Sequence, residues 1–583
     1  MQKTCANLRC GQSFPVGEDD LEFYEKISPE FGGKKYLIPP PTLCPECRFQ
    51  RRMIWRRERS LKNRSCDSCK KSIISMHTAD APYPVYCLPC WWSDSFDPLE
   101  YGQEVDLDRP FADQFIELMQ RVPQITMMND NGIGSENCEY CHDFAAGKNC
   151  YLIMGAWELQ DCYYCDCNCL RSRHLFDCSG IHFSELVYDS LSSQHLYRCI
   201  GLDHCDNCND CWFGGDLKGC KDCLGCFGLR QKRFCIFNEQ YDEEDYRQKL
   251  ASFRLDTVAG YQEFRKKYED WILRFPRKCV HLVNSENCTG DDLFNCKDTV
   301  MSFQEDGAEY CKFVVHGDAP KNCYDVSQNG RGSWCYEGCT PDNSYMTHFT
   351  TWCWHDKYVL YSDNCHHCEH LLGCISLKRK KYCILNKQYT KEEYEALAGK
   401  IIEQMMATPY QSPAGSGTGQ VDGAAMNPNA VSGSWGEFLP MTMSPYCYNE
   451  TAAQEYFPLS KEDVLARGVQ WRDHDRSYAA QTFPVPEAIG DVPETIVDAV
   501  LACLDCKRNF KILKQEFDFY RDLGIPIPQH CYECRWRERV KRRNPRKLWE
   551  RECAKCQKAI QTSYSPERPE IVYCESCYLA EVY

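Results

Sequence analysis

Eight cysteines near each end of this 583-residue chain are spaced as metal ligands. At one end Cys5 and Cys10 precede Cys44 and Cys47, Cys66 and Cys69, then Cys87 and Cys90; at the other Cys503 and Cys506 precede Cys531 and Cys534, Cys553 and Cys556, then Cys574 and Cys577. The last three pairs at both ends are C-x2-C, separated by eighteen and then seventeen residues without an insertion. One C-x2-C knuckle presents two sulfurs from a single turn, and two knuckles complete the tetrahedral four-thiolate site of structural zinc. Sixteen sulfurs therefore imply about four Zn2+ sites, assigned sequentially as Cys5/10/44/47, Cys66/69/87/90, Cys503/506/531/534 and Cys553/556/574/577, with other pairings open. Four thiolates leave no position for water, so these zincs are expected to be structural, not catalytic. The disulfide alternative fits adjacent C-x2-C pairs in a reducing cytoplasm poorly. Between Cys69 and Cys87, SIISMH, a turn and YPVYC read as a β-hairpin that would hold the knuckles together.

The stretch CLDCKRNFKILKQEFDFYRDLGIPIPQHCYECRWRERVKRR, residues 503–543, carries a knuckle, F-x-I, an E-x-x-F-Y helix, a Pro-bearing turn and C-x2-C-R. It resembles the family known as a probable zinc-ribbon domain. The N-terminal copy keeps Phe14, Glu22 to Tyr24 and Cys44 to Arg48 around a longer loop. The whole chain is similar to the cysteine-rich, multi-zinc-ribbon proteins of small-genome uncultured bacteria. That resemblance implies zinc and no activity.

Between the second and third cysteine pairs of each end lies a basic segment. RFQRRMIWRRERSLKNR, residues 48–64, has eight cations and one acid, and RWRERVKRRNPRKLWER, residues 535–551, has nine and two. Both are expected to be helical, the second only as far as Asn544-Pro545. Arg51, Arg52, Arg56, Arg57 and Arg59, with Arg537, Arg539, Lys541, Arg542 and Arg543, are the candidates to neutralise a nucleic-acid backbone, RNA in preference to DNA, with Trp55 or Trp536 stacking on a base. The competing expectation is intramolecular. The chain's net charge is −16, and setting the two segments aside leaves about −30 on the rest, an acidic partner within the same molecule.

The middle is duplicated. RFCIFNEQYDEEDY at 233 recurs as KYCILNKQYTKEEY at 381, and SENCEYC at 135 as SENCTGD at 285, so a unit of about 150 residues occurs twice. Each copy closes with a helix, capped by Asp242 or by the capping box of Thr390 and Glu393. Short apolar-aromatic stretches alternate with Gly, Asp and Asn, and Cys178, Cys199 and Cys220 recur every 21 residues, which predicts a β-solenoid of about that period with a cysteine-lined interior. For the triplets Cys205/208/211 and Cys220/223/226, buried thiols, extra structural zinc and iron–sulfur ligation stand as alternatives, as does zinc at Cys365, His367, Cys368 and His370.

The expected architecture is thus multidomain and β-rich: zinc-ribbon modules at 1–100 and 501–583, cysteine-rich repeats at 131–250 and 279–403, helical segments at 101–130, 251–278 and 441–500, and a flexible Gly/Ser/Pro linker at 404–440. No P-loop, Rossmann glycine pattern, HExxH or deaminase pattern occurs, so no enzyme is expected. Without a leader or an apolar run of membrane length, the expected place is the cytoplasm. The leading expectation is a non-enzymatic zinc scaffold binding RNA at its ends; the alternative is a structural or assembly protein using its zinc modules against acidic protein surfaces.

Overall fold

The structure is a computed structural model that describes all residues except 8, 58, 319–323, 331–333, 340–342, 409–433, 474–477 and 583, and only the backbone of 316–318 and 328–330. The chain folds as two units. Unit 1 comprises Met1–Met128, Leu282–Thr289 and Leu293–Asp473; unit 2 comprises Asn129–His281, Gly290–Asp292 and His474–Tyr583. Each unit therefore holds one terminal cysteine module and one copy of the central repeat, but the N-terminal module belongs with the second copy and the C-terminal module with the first.

The repeat is a stack of parallel rungs. In unit 2, Met154 pairs with His142, Cys199 with Val187, and Cys223 with both Cys211 and Cys235. In unit 1, Thr347, Val359, Leu371 and Cys383 follow one another in register. Most steps are twelve residues, with a few of eleven or thirteen, not the 21 expected from the cysteine recurrence. A second, shorter period explains the difference: from Asp143 onward nearly every third residue adopts a left-handed backbone, for example Asn207, Asp210, Phe213, Asp216, Gly219, Asp222 and Gly225. Three-residue sides separated by such corners give a four-sided turn of twelve, and 21 is one turn plus three further sides. A left-handed corner costs about 1–2 kcal/mol for most L-residues and least for Gly, Asn and Asp, which is why those residues crowd the repeat.

The residue after each corner points inward. Cys205, Cys208, Cys211, Cys220, Cys223 and Cys226 are all buried, stacked with Leu196, Leu202 and Leu217 in one apolar interior. A thiol fits this narrow core beside the leucines with a further advantage: it donates weakly to backbone carbonyls. Cys208 Sγ lies 3.4 Å from Asp206 O, just before the corner at Asn207, and 3.5 Å from Leu217 O on the next turn. The interior is thereby apolar without leaving carbonyls unsatisfied. At the corners, Asn side chains run in ladders: Asn137 donates to Asn149 at 2.9 Å and Asn149 to Asp161 at 3.0 Å.

Each module carries two helices that matter below: α1 (Glu18–Ile27) and α2 (Pro45–Met53) in unit 1, α3 (Lys514–Leu523) and α4 (Tyr532–Arg542) in unit 2. The second basic segment ends its helix before Asn544-Pro545, as the proline dictates, but α2 covers only the first third of its segment, and Lys62–Ser65 are already strand. The expected hairpin is corrected too. Its strands flank the knuckle instead of joining two knuckles: Lys62–Ser65 pairs antiparallel with Ser72–Ser75, and Trp549–Glu552 with Ala559–Thr562. Val85–Tyr86 instead lies parallel to Gln124–Ile125, and Val572–Tyr573 parallel to Arg277–Lys278. Most of the linker expected at 404–440 lies outside the described residues, but Trp435 and Phe438 are buried in the unit 1 core. Among the described residues no helix is long and apolar enough to cross a membrane.

Candidate metal centres

The sixteen terminal thiols gather into four groups, Cys5/10/44/47, Cys66/69/87/90, Cys503/506/531/534 and Cys553/556/574/577, with all ligand atoms of a group within 4.8 Å of one another. The same local construction recurs. The first knuckle of each group is a turn whose next residue is left-handed, Gly11, Lys70, Lys507 or Gln557. The second opens a helix: Cys44, Cys87 and Cys531 are N-caps, and Glu575 begins the helix after Cys574. A helix N-terminus offers unpaired N–H groups and a positive dipole end, which favour a thiolate there.

The sulfur spacing fits zinc. Thiolates about 2.3 Å from a tetrahedral ion lie about 3.8 Å from each other. Cys10 and Cys44 are 3.7 Å apart, Cys69 and Cys87 3.7 Å, Cys506 and Cys531 3.6 Å, and Cys556 and Cys574 3.7 Å. These distances exclude disulfide bonds, which place sulfurs near 2.05 Å. Backbone amides support the sulfurs, with Cys44 N–H donating to Cys5 Sγ and Cys87 N–H to Cys66 Sγ, each at 3.3 Å. Crowded thiols divide their protons unequally: donation from Cys47 pulls Cys44 down to about 5, and the same contact pushes Cys47 up. When bound, zinc supplies the charge that lets all four ionise and ties the knuckles together.

The central cysteines do something else. Cys205/208/211 and Cys220/223/226 occupy inward positions on successive sides, and among the described residues no central cysteines form a group of three or more ligands within 4.8 Å. His367 and His370 do not join Cys365 and Cys368. The two thiols are buried inside the rungs, while His367 stacks on His355 at 4.7 Å and His370 on Tyr358 at 4.8 Å.

Most of the basic candidates are internal. In unit 1, Arg51, Arg52, Arg56 and Arg57 are buried. Arg51 binds Glu337 at 2.5 Å and Glu437 at 2.6 Å, Arg57 binds Glu450 at 2.8 Å, and Arg59 approaches Glu455 at 3.8 Å. Arg56 lies over the Trp352 ring, 5.3 Å from its centre. Burial opposes the charge on Arg51, but Glu337 and Glu437 outweigh it and raise its pKa; Arg52, whose approaches to Asp325 and Glu337 are 3.7 Å, is lowered by burial. In unit 2, Arg539 is buried against Asp177 at 3.0 Å, Arg542 binds Asp189 at 2.5 Å, and Arg543 donates to Cys167 Sγ at 2.7 Å. Arg537 and Lys541 face solvent, 57% and 71% exposed, near Glu533 and Glu538 of their own helix. Trp55 is buried, and Trp536 donates to Asp166 at 2.8 Å.

Within each unit the module docks on its own stack by the same contacts. Arg48 pairs with Asp325 at 2.7 Å and Arg535 with Asp177 at 2.8 Å; the arginines are 487 residues apart and the aspartates 148, the two offsets of the duplication. Phe23 stacks on Tyr324 at 4.0 Å and Phe519 on Phe176 at 4.0 Å. Tyr24 meets Tyr336 edge-on, as Tyr520 meets Tyr188. The acidic partners Asp177, Asp325, Glu337, Glu437 and Glu450 are the functional residues that spacing arguments passed over; Asp177 and Asp325 were visible as a 148-residue pair.

No protein-family model matches the chain. No curated protein matches it either. A solved structure described as a "putative acetyltransferase" of Desulfovibrio desulfuricans G20 is similar over 39% of this chain and 64% of that one, at 8% identity and a TM-score of 0.10. The chain thus spans less than two thirds of that protein, and so poor a superposition carries nothing about fold or activity.

Proposed function

We propose that the protein is a non-enzymatic structural scaffold in which zinc modules act as internal clasps on two solenoid-like stacks. The observation that carries this reading is the repeated insertion of a module's arginine helix against its stack's acids, Arg48 on Asp325 and Arg535 on Asp177. A buried guanidinium so paired is removed from any phosphate, and its cost of desolvation is met within the unit. The positive charge of the chain ends is thereby spent on assembly. Partner contact falls to the outer faces of the stacks. In unit 2 one such face holds an open groove of about 610 Å³ lined by Glu158, Arg171, Arg173, Phe183, His195 and Tyr197, a mixed surface suited to a protein partner and not to a phosphate backbone.

Titration of single-stranded RNA at low salt tests this. The expected result is no saturable binding, or weak binding that Arg537→Glu with Lys541→Glu abolishes without loss of zinc. Binding in the nanomolar range with a steep salt dependence would overturn the clasp reading, because phosphate contacts release counterions in proportion to their number.

A further inference from the structure

One cluster of ligand-type side chains in unit 2 lies outside the four thiolate groups. His204 sits at a stack position, His281 ends the segment that follows the strand Arg277–Lys278, and Asp292 follows in the short piece of chain that returns to the unit; one ligand atom from each lies within 4.8 Å of the others. His204 Nε2 is 2.7 Å from Asp292 Oδ1, and His281 Nδ1 is 3.9 Å from the same oxygen. Nitrogen and oxygen ligands at about 2.0–2.1 Å from a tetrahedral ion lie roughly 3.3 Å apart, a spacing that ligand atoms gathered within 4.8 Å of one another reach by small side-chain rotations. We propose that His204, His281 and Asp292 form a fifth metal site, a two-imidazole, one-carboxylate centre for a divalent ion of the zinc class, with room left for water.

The surroundings are those of ligands held in place. Asp203 Oδ1 lies 2.8 Å from His204 Nδ1, a contact that would keep the proton on that nitrogen once Nε2 takes an ion. Ser192 donates to the far oxygen of Asp292 at 3.3 Å. Asp291 accepts from the His281 backbone at 2.6 Å, lies 3.1 Å from His281 Nδ1, and is itself held by Ser563 and Asn544. The three ligand side chains are 13–19% exposed, so an ion reaches them without unfolding.

The alternative is an ion-pair brace, and the duplication counts against it. The imidazole rings stack at 3.7 Å and 17°. The fold does not require polar groups here. At the 148-residue offset His204 corresponds to Trp352, and the paired strands align His281 with Met128; both belong to the apolar core of unit 1. One copy of the duplicated architecture packs this place with hydrocarbon, and the other has filled it with ligands.

Metal analysis of the full-length chain, followed by cobalt(II) titration of protein from which a mild chelator has first stripped the non-thiolate zinc, decides the matter. Five zincs per chain are expected, falling to four in the His204→Ala/His281→Ala variant, whose four retained thiolate zincs report that it has folded. Cobalt entering the fifth site gives d–d bands without sulfur-to-cobalt charge transfer, and Asp292→Asn, which keeps the shape, weakens its uptake at least tenfold. Four zincs in the parent chain with no cobalt uptake overturns the proposal. So does a fifth equivalent that survives the double variant.

Discussion

A buried histidine shows how much of this molecule is decided by what surrounds a single side chain. His348 lies wholly inside unit 1, its Nε2 3.1 Å from Ile27 O, and burial lowers its pKa to about 4. Because the folded pKa is depressed below 6.5, the neutral ring's contribution is complete above pH 6.5 and is lost as pH falls toward 4, on the order of 3 kcal/mol in all. His348→Gln keeps a neutral donor for Ile27. Its urea midpoint is therefore expected to lie below that of the parent chain at pH 7, with the deficit closing or reversing by about pH 4.5; a deficit independent of pH would show that the ring does not titrate there. The buried acid Asp356 works in the opposite sense. Burial raises its pKa well above the carboxylate range, so it stays protonated while Oδ1 accepts from Cys368 N–H at 2.6 Å. Asp356→Asn should be within about 1 kcal/mol of the parent at pH 7, whereas Asp356→Ala strands that amide and costs about 1–3 kcal/mol. At this scale the sequence was partly legible: the sixteen ligand cysteines carry their role in their spacing. His204 and His281 carry none, because 77 residues separate them and only the fold brings them together.

Among elements, the arginine helices α2 and α4 are the joints. Arg51→Ala leaves Glu437 buried without its counter-charge and Glu337 with Arg52 alone at 3.7 Å, and we expect a loss of about 3–5 kcal/mol in unit 1. Arg537→Ala and Lys541→Ala, on exposed positions of α4, should stay within about 0.5 kcal/mol. Chemical denaturation followed by fluorescence separates the two outcomes, and similar costs for all three would contradict the buried clasp. The charge imbalance along the sequence pointed to an acidic internal partner but equally to nucleic acid, since net charge has no direction. What singles out the partner is the conjunction of offsets, 487 for the arginine and 148 for the aspartate. The parallel pairs step by twelve residues where the cysteine recurrence suggested 21. C-x2-C-x2-C reads as a metal motif, yet C-D-N-C-N-D-C also spells small inward residues followed two places later by residues that tolerate left-handed corners. Turn chemistry at period three, not cysteine recurrence, encodes the twelve-residue step.

For the whole molecule, thiols divide into two populations. Sixteen sit in the terminal quartets, while the others, Cys288 apart, are buried wherever they are described, most of them inside the stacks. A thiol reagent applied to the zinc-loaded protein should therefore react slowly, accelerate by about sixteen equivalents after chelation, and reach the rest only in denaturant; release of all thiols together on chelation would mean that metal holds the stacks as well as the modules. Composition and repeats suggested terminal modules and central copies, but not which module shares a unit with which copy. Neighbours in sequence usually pack together, and here they do not: Arg48 and Asp325 are 277 residues apart, and Asp177 and Arg535 are 358 apart. The order of manufacture follows from that interleaving. A ribosome releases the first clasp long before the stack it closes upon, so its guanidinium row must wait, uncompensated, through the synthesis of some 277 further residues. Messages cut short before the second copy would yield chains that hold their first zincs and still have nowhere to put those charges.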